Sequence, residues 1–133
     1  MLQASRDVEA LAHRAIGAAI EVHTHLGPGL LESTYERAME IELAIRSIAF
    51  RRQHEIDVNY KGQCVGIARL DLIIADRLVV ELKAVESISL IHVAQTNAYL
   101  AITGLELGLI FNFNVPALGS TGIRRVIRST DTD

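Results

Sequence analysis

The chain has 133 residues, 50% of them hydrophobic and 22% charged, with a formal net charge of −3. That length and mix fit one folded core and exclude a disordered chain, while the acidic balance excludes a protein that grips long nucleic acid with a broad basic face. Cys64 is the single cysteine, which excludes a disulfide framework or a zinc cluster and suits a reducing, cytoplasmic setting.

Val8, Leu11, Ala12, Ala15, Ile16, Ala19, Ile20 and His23 recur at helical spacing, so residues 5–24 read as an amphipathic helix. Glu9, His13, Arg14 and Glu21 interrupt its apolar stretch, so it is neither a signal-peptide core nor a membrane span. Gly27-Pro28-Gly29 breaks it, and a second helix follows to about Ser47, with Leu31, Tyr35, Ala38, Met39, Leu43 and Ile45 as apolar members. Residues 55–60 alternate polar and apolar like a half-exposed strand. Lys61-Gly62 is a turn, residues 63–74 a second strand and 78–84 a third, with Ala75-Asp76-Arg77 turning between them. Leu78-Val79-Val80 shows no alternation, which suits a strand covered on both faces. Ser89 opens a helix over 90–102, closed by Thr103-Gly104. Residues 107–113 read as a buried strand and 124–128 as a short edge strand. There is no internal repeat or linker, so the expectation is one α/β domain over residues 1–133.

Charges are costly inside apolar strands unless they find a partner or a ligand. Asp71, Glu81 and Lys83 sit in such sequence. A hairpin centred on Asp76 pairs residues whose numbers sum to 152, which sets Asp71 opposite Glu81. Directly opposed Cβ atoms lie about 4.5–5.5 Å apart, where like charges repel. A divalent cation between them reverses that sign, and Mg²⁺ needs only one or two protein carboxylates. Glu81 and Lys83 are two apart and share a strand face, so the ammonium stands beside that site, where it can orient a water. The alternative is a buried ion pair between Lys83 and one of the acids. Glu32 opens the second helix, where a carboxylate also complements the helix dipole. Gln95 and Tyr99 lie four apart on one face of the third helix.

Gly29-x-x-Glu32-x-x-Tyr35 resembles the signature of the GxxExxY family, which is assigned to the PD-(D/E)XK nuclease-like superfamily. Asp71 followed by Glu81-Leu82-Lys83 is similar to that superfamily's D…(D/E)-x-K core, with Leu70 where a strict pattern has proline. Gln95-Thr96-Asn97-Ala98-Tyr99 resembles the QxxxY motif of the RecB-like and lambda-exonuclease-like branch, and residues 107–113 resemble the strand that follows. The likeness runs from about residue 8 to 128. It implies a restriction-endonuclease-like αβββαβ core, a mixed sheet flanked by helices, here with an extra N-terminal helix. It also implies that Asp71 and Glu81 bind Mg²⁺ or Mn²⁺ with help from the Leu82 carbonyl. Glu32 would contribute through a water, Lys83 would position the attacking water, and Gln95 and Tyr99 would orient the site or touch the phosphate backbone.

The expected activity is therefore a metal-dependent nuclease acting on DNA, with RNA also open. The alternative is a catalytically silent nuclease fold that binds nucleic acid or protein, since fold and motifs do not guarantee activity. Any phosphate-binding surface must be local, and Arg51, Arg52, Arg124, Arg125 and Arg128 are its candidates. The small size favours a homodimer or larger ring around a duplex. His23 reads as a core or supporting histidine, and Cys64 as an inert buried thiol.

Overall fold

The computed structural model describes residues 4–128. The helical periodicity near the N-terminus is realised as α1 (Arg6–Leu26), and the segment after the Gly-Pro-Gly break as α2 (Glu32–Ile45). Strands β1 (Phe50–Tyr60), β2 (Gln63–Ile74) and β3 (Leu78–Lys83) follow, then α3 (Leu90–Thr103), β4 (Leu107–Asn112), a short α4 (Leu118–Thr121) and β5 (Ile123–Ile127). The strands form one sheet in the order β1-β2-β3-β4-β5. Neighbours are antiparallel except β3 and β4, which run parallel and are joined across the sheet by α3. This is a mixed α/β sheet of the restriction-endonuclease-like kind, with α1 as the extra N-terminal helix.

Strand alternation divides the core into two layers. Leu78, Val80, Leu82, Leu107, Leu109 and Phe111 join the larger cluster, with residues of α1 and α2. Val79 and Ile110 face the other way, into a smaller cluster with Leu100 of α3. Every residue of β4 is buried, which explains why Leu107–Asn112 reads as a continuous apolar run. Ala12, Ala15, Ala18 and Ala19 are buried in α1, and such small side chains let the helix approach its neighbours closely. At Gly108 an added Cβ would lie 2.6 Å from Thr96 Cγ2, so α3 packs against β4 more closely than a side chain permits.

The β1–β2 hairpin holds an irregularity that places the site. Phe50, Leu72 and Ile74 belong to the larger cluster, yet Ile56 and Leu70 belong to the smaller one. Residues 50 and 56, like 70 and 72, would share a face on regular strands, so both strands switch faces between these positions. The register passes from Arg52↔Leu72 to His54↔Leu70 with no pair between Gln53 and Asp71. Gln53 has a φ of 48°, in the left-handed region.

Three expectations change. The first strand begins at Phe50 rather than Glu55, because polar Arg51–His54 straddle the face switch and hide the alternation. Cys64 is exposed rather than buried, because β1 and β2 run on beyond the point where β3 stops pairing with them. Leu31, just before α2, and Ile45, its last residue, are exposed, not core members. The four-residue α4 is too short to show a periodicity.

Candidate active site

The β2–β3 register is the expected one: Leu72↔Val80, Ile73↔Val79 and Ile74↔Leu78 all sum to 152. The ladder stops there, one step short of Asp71 and Glu81. At that step the two carboxylates take over from the backbone. The Asp71 N–H donates to Glu81 Oε2 at 3.2 Å, and the Leu82 N–H donates to Asp71 Oδ2 at 2.8 Å. The acids therefore face each other, each accepting a hydrogen bond from the opposite strand.

Glu81 is only 3% exposed. Burial, followed by the nearby Asp71 charge, pushes its carboxyl up to about 8, against the weaker opposing pull of the Asp71 N–H and of Lys83. Lys83 shares the Glu81 face but reaches outward, donating to Gln95 Oε1 at 3.5 Å. Among the described residues no salt bridge joins Lys83 to either acid within 4.0 Å. The buried ion-pair alternative is not realised, and the acid pair is relieved by protonation of Glu81.

Tyr99 and Gln95 come from α3, on the same side of the sheet as Glu81 and Lys83. The Tyr99 hydroxyl is raised by its own burial and by the charges of Glu81 and Asp71, so it stays a protonated donor within their field. Glu32 approaches from the opposite helix layer. Its Oε2 accepts from the Ala84 N–H at 3.1 Å, one residue past the end of β3. Six side chains thus converge on the end of β3: Asp71 and Glu81 face to face, Lys83 with Gln95, Tyr99 facing the acids, and Glu32 at the rim.

Tyr35 was legible as a core residue and a motif position but not by role, and its hydroxyl organises the loop before α2. It donates to the Gly27 carbonyl at 2.5 Å and accepts from the Leu30 N–H at 3.1 Å. Its ring stacks on Phe113 with centroids 4.4 Å apart. Gly27 and Gly29 have φ of 69° and 101°, which non-glycine residues rarely adopt. The Gly29-x-x-Glu32-x-x-Tyr35 spacing is thereby explained: glycine turns the chain, tyrosine anchors the turn, and glutamate emerges from the first turn of the helix. Asn112, paired with Lys83 across the sheet, was also missed. Its side chain accepts from the Val85 N–H at 3.1 Å and donates to the Val85 carbonyl at 2.9 Å, holding the chain just past Glu32's contact. A lone amide inside an apolar strand was its available signal.

The donor set suits a hard divalent cation. Asp71 and Glu81 each keep one carboxylate oxygen outside the hydrogen bonds described, and oxygen ligands suit Mg²⁺ or Mn²⁺. Such a cation would also offset the burial and the Asp71 charge that raise the Glu81 carboxyl. The residues fit. No group of three or more His, Cys, Asp or Glu capable of holding a metal exists among the described residues, so Glu32 does not close a carboxylate trio with Asp71 and Glu81.

The expected arginine patches are largely committed elsewhere. Arg51 pairs with Asp76, Arg52 with Glu36 and Glu40, and Arg125 with Glu9 through contacts of 2.9 and 2.7 Å. Arg124 has no salt bridge among the described residues. His23 is buried, its Nε2 lying 3.1 and 2.9 Å from the Phe113 and Val115 carbonyls, which makes it a core histidine that donates from that nitrogen. His92 Nδ1 accepts from the Ser89 N–H at the start of α3.

Residues 9–126 match the model of the PD-(D/E)XK nuclease superfamily, and the chain belongs to that superfamily. No curated protein matches it significantly. Among solved structures, the crystal structure of SSO0001 is similar, with a TM-score of 0.57 and 19% sequence identity. The match covers 75% of this chain and 52% of that one, so this chain spans about half the length of that protein. At this identity the likeness is one of fold. No helix among the described residues is long and apolar enough to cross a membrane.

Proposed function

We propose that this chain is a metal-dependent nuclease of the GxxExxY family, within the RecB-like branch of its superfamily, hydrolysing phosphodiester bonds of DNA. The observation that carries the reading is the facing pair Asp71 and Glu81. They face each other across β2 and β3, form no salt bridge among the described residues, and are supported by Lys83, Gln95 and Tyr99. Mg²⁺ or Mn²⁺ held by these carboxylates, with the Leu82 carbonyl as a further oxygen ligand, would polarise the scissile phosphate and make water a stronger nucleophile. Lys83 orients the attacking water and offsets negative charge as it builds on phosphate. Gln95 fixes the Lys83 ammonium, and Tyr99 donates a hydrogen bond toward a phosphate oxygen. Glu32 holds the chain past β3 and reaches the site through water.

The test is cleavage of single- and double-stranded DNA, and of RNA, with Mg²⁺ or Mn²⁺. Asp71→Asn and Lys83→Ala are expected to reduce cleavage by at least about 100-fold, in the range assigned to loss of a charge-stabilising group. Equal activity in wild type and both variants would overturn the site assignment. The arginine–carboxylate pairs favour one rival, a silent fold used for binding. That rival requires no cleavage and no calorimetric Mn²⁺ binding at millimolar concentration.

A further inference from the structure

The irregularity at Gln53 lies directly across β2 from Asp71, and its side chain is held from α2. The Gln53 Nε2 donates to both Glu36 oxygens, at 2.9 and 3.1 Å. Glu36 stands one helical turn after Glu32. Its neighbourhood is braced: Arg52 donates to Glu40 Oε2 at 2.8 Å and approaches Glu36 Oε2 at 3.5 Å. Left-handed backbone is unfavourable at a residue with a Cβ, and it persists only where surrounding contacts impose it. Side chains of regular strands stand perpendicular to the sheet. At the face switch, Asp71 instead reaches along the sheet, where its Oδ2 accepts from Leu82 of β3.

We propose that Gln53, clamped by Glu36, is a positioning residue that imposes the face switch on β1 and β2 and so aims the Asp71 carboxylate at β3. Among the described residues neither Gln53 nor Glu36 hydrogen-bonds to Asp71 or Glu81. They act through the backbone of β1 and its register with β2. The catalytic consequence rests on the nuclease reading above, but the aim of Asp71 does not.

The experiment reads that aim without metal or DNA. Amide hydrogen exchange at Leu82 reports the hydrogen bond to Asp71, with the Val80 amide, inside the regular ladder, as control. Gln53→Gly keeps the left-handed backbone free of strain while removing the clamp. Leu82 exchange is expected to rise about 10-fold, the protection one net hydrogen bond gives, with Val80 unchanged. Glu36→Ala is expected to match it, and Glu36→Gln, which keeps an acceptor for Gln53, to restore part of the protection. In the cleavage assay both clamp-deleting variants should lower kcat and leave KM for DNA unchanged. Wild-type exchange at Leu82 in Gln53→Gly and Glu36→Ala would overturn the proposal. If Gln53→Gly exchanges rapidly at every amide, Glu36→Ala alone decides. A wild-type protein that cleaves nothing would defeat the nuclease reading and leave the exchange result to judge the clamp.

Discussion

On the proposed reading, the protonation of Glu81 governs the site. A carboxyl raised from 4.5 to about 8 means that the folded, metal-free protein holds a proton which the unfolded chain releases near 4.5. The stability linked to that proton is fully present below about pH 4.5 and is lost as pH rises to about 8. A cation bound by the Glu81 carboxylate would displace the same proton. Mn²⁺ affinity should therefore rise up to about tenfold per pH unit and level off above about 8, with one proton released per ion at lower pH. Calorimetry in buffers of different ionisation enthalpy checks both. An affinity independent of pH between about 6 and 8 would show that Glu81 does not bind the ion as a carboxylate. Asp71, Glu81 and Lys83 were legible in the sequence because charge is rare in runs of Ile, Leu and Val. Gln53 was not, because its conformation and its partner Glu36 arise from a helix and a strand meeting in space. The destination of Lys83 was equally hidden, since a lysine two residues from a glutamate pairs as readily with acids as with an amide.

At the level of elements, the two helices that bracket the sheet divide the labour. The α3 helix brings Gln95 and Tyr99 to the Glu81 face, while α2 delivers Glu32 from the other layer. What fixes α2 is the turn before it, and the Tyr35 hydroxyl holds that turn. Tyr35→Phe preserves the stack on Phe113 and deletes both hydrogen bonds. Its expected stability loss is about 1–3 kcal/mol, read by denaturant unfolding. Activity should fall further than stability explains, because Glu32 loses its fixed exit from the loop. Activity unchanged at a temperature well below the melting transition would deny Glu32 a role in the reaction. The element order was readable from periodicity and from the Gly-Pro-Gly and Thr-Gly breaks. The start of β1 was not, since alternation is a useful signal only while a strand keeps to one face.

For the whole molecule, charge and size set the terms of substrate binding. The chain carries a net charge of −3, and most of its candidate phosphate-binding arginines are tied to carboxylates. Exposed pairs of that kind contribute about 0–1 kcal/mol each and exchange partners easily, but they do not form a broad basic track. We expect nucleic acid to be held by several copies around the duplex rather than by one. Light scattering at micromolar concentration should give the mass of a dimer or larger ring, and a monomer mass across that range would refute it. DNA affinity should fall with salt less steeply than for proteins that neutralise many phosphates. That the sheet is mixed came from the family resemblance, and the parallel pairing of β3 with β4 across α3 follows the crossover rule. The side on which the site opens became visible only once the acids were seen at the end of the ladder.

That position has a consequence for how such a site is lost over time. Where backbone pairing between β2 and β3 ends, the Asp71 and Glu81 side chains serve as the missing rungs. A lineage that abandoned hydrolysis would still be selected to keep oxygen acceptors at both places, because removing either would leave a strand amide without a partner. Decay of function would then be recorded first at Lys83, Gln95 and Tyr99, whose loss leaves those rungs intact. A descendant bearing both acids but a substituted lysine would be the expected relic.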